Sequence, residues 1–120
     1  MTDAKTVADA YIAAWNETDA ATRKALIADT WTRDATYVDP LMNGAGHDGI
    51  SGLIAGVHGR FPDFRFALIS GPDMHGEHLR FSWGLGPKGA TPLIEGTDYV
   101  VVKDGRIAAV TGFLDKVPAQ

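Results

Sequence analysis

The sequence predicts an α+β fold, with helices first and an antiparallel sheet after them. Two observations carry this. Up to residue 61 the apolar side chains recur every three or four positions, and from residue 64 they alternate with other side chains in runs closed by Gly- and Pro-containing turns. A third observation sets the scale. At 120 residues, 45% hydrophobic and 22% charged, the chain is expected to form one domain, residues 1–120, with a core needing neither metal nor disulfide.

Thr2 or Asp3 can cap a first helix whose apolar stripe is Val7, Ala10, Tyr11, Ala14 and Trp15. The segment Asn16 to Asp19 breaks it. Thr18 or Asp19 then caps a second helix carrying Ala21, Ala25, Leu26 and Ala28. A short strand, Ala35 to Asp39, stops at Pro40, and a Gly-containing loop runs from Leu41 to Gly46. The third helix, about Asp48 to Arg60, buries Ile50, Leu53, Ile54 and Val57, followed by Phe61. Its glycines 49, 52, 56 and 59 recur on the opposite side. They mark either a loosely held surface helix, the favoured reading, or close contact with another surface.

The remainder is strand. Phe64 to Ile69 ends at the turn signal Gly71-Pro72-Asp73. Leu79, Phe81, Trp83 and Leu85 alternate up to a turn at Gly86 to Gly89. Leu93 to Val102 meets Ile107 to Leu114 through a hairpin turn at Lys103-Asp104-Gly105. Apolar residues of both parities in the Leu93 to Val102 strand predict that both sheet faces are covered. Three helices can cover one face. The expectation for the other is a second copy of the chain, giving a homodimer.

Composition narrows the partners. Net charge is −4 with no cluster of Lys and Arg, which argues against nucleic acid and anionic membrane. No apolar run approaches the roughly 18 residues of a membrane span. Cysteine is absent and the N-terminus lacks a signal-peptide core, so the expected home is cytoplasmic. The expected ligand is a small hydrophobic molecule. His75 and His78 have metal-like spacing, but on one continuous strand they would face opposite ways; His47 and His58 read as solvent-facing. No metal or phosphate-loop motif occurs, and no nucleophile elbow.

Asp98 stands out chemically. It shares a strand face with Ile94, Gly96, Val100 and Val102, so its carboxyl group points where the aliphatic groups point. Desolvation there favours the protonated acid, which can donate a hydrogen bond to developing charge; the alternative is a structural pair with a neighbouring strand. Tyr11 lies on a buried helix stripe and is either core packing or a hydrogen-bond donor. Asp39, before Pro40, is either a turn former or a rim carboxylate, because it shares parity with Ala35 and Tyr37.

Several segments together resemble the NTF2-like superfamily over nearly the whole chain. They are Tyr-Ile-Ala-Ala-Trp-Asn at 11–16, Ala-Thr-Tyr-Val-Asp-Pro at 35–40, Gly-His-Asp-Gly-Ile at 46–50, and Gly96-Thr97-Asp98 before the Lys103 turn. Within it the chain is most similar to SnoaL-like proteins of polyketide-cyclase type and to ketosteroid isomerase. The resemblance implies a cone-shaped barrel, a strongly bent, mostly antiparallel sheet packed on three N-terminal helices. By motif, the isomerase tyrosine, base aspartate and acid aspartate fall on Tyr11, Asp39 and Asp98, with the division of roles taken from that enzyme, itself a standard example of carboxyl pKa tuning. Ile54 stands where some isomerases carry a further tyrosine. Arg80, followed by Phe81 and Ser82, lacks the Arg-x-Asp arrangement of epoxide hydrolases on this fold.

The expected activity is acid–base isomerisation or cyclisation next to a carbonyl, without metal or cofactor. The alternative is a non-catalytic ligand-binding or accessory protein. The pocket is expected to open near the Leu41 to Gly46 loop. Its expected lining is Trp15, Tyr37, Met42, Val57, Phe61, Phe81, Trp83, Val100, Val110 and Leu114.

Overall fold

The computed structural model describes residues 3–118. Helix α1 (Ala4–Asn16) starts at Asp3, whose carboxylate accepts the Thr6 N–H, and α2 (Ala20–Thr30) starts at Asp19, which accepts the Thr22 N–H. Thr2, the other capping choice for α1, lies outside the described residues. Each cap satisfies an otherwise orphaned backbone donor. Strand β1 (Trp31–Val38) and the short β2 (Asn43–Ala45) precede α3 (Gly46–Arg60). Four long strands follow: β3 (Phe64–His75), β4 (His78–Pro87), β5 (Ile94–Lys103) and β6 (Arg106–Lys116).

The six strands run in the order β2-β1-β6-β5-β4-β3. All neighbours are antiparallel except β1 and β6, which are parallel. The sheet is bent but not closed, since β2 and β3 remain its two edges. Register shifts in β3–β4 and β5–β6 mark bulges, which increase local bending. The three helices lie across the concave face, where Trp31, Phe81, Leu79, Val100, Ile107 and Val110 join Ile27, Ile50 and Ile54 in the core.

Several boundaries differ from the sequence expectations. Gly71 to Asp73 is no strand end: β3 runs on to His75, and Gly71 adopts φ +85° within a bulge where a side chain would crowd the Arg80 carbonyl. β1 begins at Trp31, four residues early, and the Leu41 to Gly46 loop contains β2. In α2 the expected stripe is wrong. Ala21, Ala25 and Ala28 are exposed and Leu26 is half-buried, whereas Arg23, Ile27 and Thr30 face inward. Arg23 is inside because its guanidinium donates to Ser51 Oγ and to the Glu17 carbonyl, tying α2 to α3 and to the preceding turn. In α1, Ala8 is buried and Ala10 only partly so.

The histidines also differ. His75 and His78 sit opposite each other across the β3–β4 turn, with ring centroids 6.5 Å apart, because the chain reverses at Gly76-Glu77 and does not continue straight. Among the described residues no group of three metal-ligating side chains forms. His47 and His58 are part-buried, bonded to the carbonyls of Trp31 and Trp15 respectively, so they pin α3 to β1 and α1. Glycines 52, 56 and 59 meet nothing within 4 Å of an added Cβ, while Gly49 lies against the Gly44 backbone.

Candidate active site

A cavity of about 80 Å³ lies between the helices and the concave sheet face. Helix α1 contributes Tyr11 and Trp15, and α3 contributes Val57, with Phe61 just beyond it. The position of α1 is fixed by Asn16, whose side chain exchanges two hydrogen bonds with the Phe66 backbone at 2.7 and 2.9 Å. Trp15 then meets Phe66 edge-on and Phe66 meets Trp83 edge-on, so three aromatic rings form one wall.

The polar groups gather at the inner end. Asp98, 1% exposed, receives the Tyr11 hydroxyl at 2.5 Å on Oδ2, while its Oδ1 has no hydrogen-bond partner. Burial is the main force on Asp98 and pushes its carboxyl up to about 6; the Tyr11 hydroxyl and the nearby Trp83 N–H pull it down, and the charge of Asp39 pushes it up. The Trp83 N–H comes near enough for that influence without making a hydrogen bond of its own. Tyr11 is driven well above the ordinary phenol range, first by burial and then by the Asp98 charge, so it remains a neutral donor.

Asp39 has a second set of partners. Its Oδ2 accepts the Tyr37 hydroxyl at 2.7 Å, and its Oδ1 accepts the backbone N–H groups of Leu41 at 2.7 Å and Met42 at 2.9 Å. Both sequence readings of Asp39 therefore hold at once: it builds the turn after β1, and it lines the cavity at intermediate exposure. Tyr37 is also raised, by burial first and then by Asp98 and its bond to Asp39.

The two phenol–carboxylate pairs face each other across Gly112. A Cβ built there would lie 2.9 Å from Asp98 Oδ1, 3.2 Å from Asp39 Cβ and 3.5 Å from the Tyr37 oxygen. Tyr11, Asp39 and Asp98 are thus brought together, and Tyr37 joins them with its hydroxyl as well as its ring.

Of the expected lining residues, Trp15, Tyr37, Met42, Val57, Phe61, Trp83 and Leu114 line the cavity. Phe81, Val100 and Val110 do not. They are 2%, 0% and 1% exposed and packed solidly beyond the closed end, because the β4, β5 and β6 positions nearest the hairpin turns face core and not cavity. Leu41, Phe66, Leu85 and Ile94 line it and were missed. Phe66 and Leu85 were legible in their strand parity, whereas Leu41 depended on the turn that Asp39 builds. Gly112 was missed entirely; its signal was its pairing opposite Asp98 in the final hairpin.

Comparison with known proteins gives a consistent picture. A family model described as a SnoaL-like domain matches residues 8–110. A crystal structure described as a candidate isomerase of the SnoaL-like family from Agrobacterium tumefaciens is 44% identical, with TM-score 0.90, covering 96% of this chain and 99% of that one. Two more distant structures show the same fold. A candidate ketosteroid isomerase from Kribbella flavida is 18% identical (TM-score 0.71, 100% of this chain and 85% of that one). A candidate polyketide cyclase from Sinorhizobium meliloti is 16% identical (TM-score 0.70, 89% and 93%). A comparison with curated protein sequences gives no significant match.

Proposed function

Because the chain belongs to the SnoaL-like family and has the NTF2-like α+β cone fold, we propose that it is a cofactor-independent acid–base enzyme, an isomerase or cyclase acting next to the carbonyl of a small hydrophobic ketone. The observation that carries this reading is the unpartnered, buried Oδ1 of Asp98, backed by Tyr11 and facing Asp39 across Gly112. A buried carboxyl with a raised pKa can hold a proton to donate to an oxygen that gains negative charge, and such donors act strongly in a dry site.

In this mechanism the substrate carbonyl oxygen meets the proton on Asp98 Oδ1. Asp39 removes a proton from the adjacent carbon. The C–H electron pair moves into the enolate, whose oxygen takes up the charge under the Asp98 hydrogen bond. Asp39 then returns the proton at a different carbon; in a cyclisation the enolate carbon instead attacks a second carbonyl carbon of the same molecule, whose π electrons move to its oxygen, and that alkoxide takes the proton Asp39 holds. The Tyr11 hydroxyl is committed to Asp98 Oδ2, so Tyr11 acts by orienting and polarising Asp98 and not by bonding the enolate oxygen itself. The narrow cavity and its apolar walls favour a compact, uncharged substrate over a fused polycyclic one. The same proposal places the protein in the cytoplasm as a homodimer paired through the outer sheet face, where Ile69, Tyr99 and Phe113 are exposed.

The test uses 3-cyclohexen-1-one, whose conversion to the conjugated enone is followed by ultraviolet absorbance. The parent should catalyse it, and Asp39→Asn should lose at least about a hundredfold in turnover while retaining affinity. Equal turnover in parent and variant removes Asp39 as the base. Probe binding without any turnover by the parent would favour a ligand-carrying protein.

A further inference from the structure

Two tryptophans at the cavity carry indole N–H groups that find no hydrogen-bond acceptor among the described residues. Trp15 is 3% exposed and Trp83 is 9% exposed, and neither Nε1 finds a hydrogen-bond acceptor. Both side chains line the cavity. Buried N–H groups are ordinarily paired, so two unpaired ones form a concentrated deficit of acceptors in a single small space. An apolar ligand would leave that deficit in place.

The indoles are also aimed by the fold. The Trp15 N–H is close enough to Tyr11, and the Trp83 N–H to Asp98, to lower the pKa of each. Trp83 lies flat over Gly96, two residues from Asp98 on the same strand face. A Cβ at Gly96 would fall 2.7 Å from Trp83 Cε2, the ring atom bonded to Nε1. Only a glycine there lets the N–H edge of the ring reach the Asp98 end of the cavity. The carboxyl oxygens nearby are already engaged: those of Asp39 accept three hydrogen bonds, and Asp98 Oδ2 accepts the Tyr11 hydroxyl.

We propose that Trp15 and Trp83 are ligand-binding donors, and that the cavity selects an uncharged molecule bearing two acceptor oxygens, one for Asp98 Oδ1 and one for the indole N–H groups. A single carbonyl oxygen, with two lone pairs, cannot serve three donors in the ground state. Among the described residues no Lys, Arg or His lines the cavity, so the acceptors belong to neutral carbonyl, ester or ether groups and not to a carboxylate or phosphate. The contact with Asp98 Oδ1 rests on the acid–base reading above; the indole contacts do not, so their failure would leave that reading untouched.

Trp31 supplies an internal control. Its indole N–H is likewise buried and unpartnered, but it stacks on Tyr11 from the core side and does not line the cavity. The chain has three tryptophans, so its indole N–H region in a nitrogen-15 correlation spectrum should hold three resonances. Titration with 3-methoxy-2-cyclohexen-1-one, which carries two acceptor oxygens, should move two of them downfield saturably and leave that of Trp31 in place. Trp83→Phe, which keeps the aromatic surface, should raise the dissociation constant of this probe about three- to tenfold, the effect of one hydrogen bond. It should not change that of 1-methylcyclohexene, which has no acceptor. The proposal is overturned if no saturable shift occurs at millimolar probe, if all three indoles move alike, or if Trp83→Phe weakens both compounds equally.

Discussion

Gly112 and Asp98 are direct cross-strand partners, and the missing side chain of the first makes the space into which the second exposes its free oxygen. A methyl group at 112 would press on Asp98 Oδ1 and on Asp39 at once. Gly112→Ala should therefore cost about 1–3 kcal/mol of stability, as overpacking does. It should also push the two carboxyl groups apart, and activity should fall by more than the loss of folded protein explains. Denaturant unfolding beside kcat/KM on the folded fraction checks this, and a variant unchanged in both would remove Gly112 from the site.

The titration of Asp98 gives the pH profile a definite sign. With its carboxyl pushed up to about 6, Asp98 holds its proton below that value and loses it above. If Asp98 is the acid, kcat/KM should fall about tenfold per pH unit above roughly 6. A limb that instead rises through the same pH would assign Asp98 as the base and exchange the roles of the two aspartates.

Stability should respond to the same group. In the unfolded chain Asp98 titrates near 3.9, about two units below its folded value. Below pH 4 both states are protonated and burial of the group is unpenalised. Between about pH 4 and 6 the unfolded chain releases its proton first, so the folded state loses up to about 3 kcal/mol, a loss that levels off above 6. Asp98→Asn lacks this titration. Relative to the parent it should gain about 3 kcal/mol of unfolding free energy between pH 4 and pH 7. Parallel stability curves for the two proteins would contradict the raised value.

The outer sheet face provides a fourth check. Ile69, Tyr99 and Phe113 are 49%, 39% and 55% exposed there, large apolar groups that a second copy would cover. Light scattering at micromolar concentration should give a dimer mass, and Phe113→Lys should give a monomer. A monomeric parent removes the dimer.

Much of this arrangement was legible because it rests on periodicity. Strand parity placed Asp98 and Trp83 on the concave face, and helical spacing placed Tyr11 and Trp15 opposite them. Asp39 was legible from its position before Pro40. Features that depend on distant partners were hidden. Arg23 was absent from the expected stripe because its acceptors, Ser51 Oγ and the Glu17 carbonyl, come together only through the fold. Gly71-Pro72 looked like a strand end because a bulge and a turn share the same residues in sequence. The value of Gly112 lay wholly in what stands across from it.

The Asp39 carboxylate, the proposed base, also braces the wall of the cavity, since its Oδ1 accepts the amides of Leu41 and Met42, which line it. A carboxylate accepts such bonds about twice as strongly as a neutral acid does. In the proposed reaction each proton that lands on Asp39 would slacken that grip, and each proton that leaves would tighten it again, so that ligand passage and proton occupancy would be geared together through one side chain.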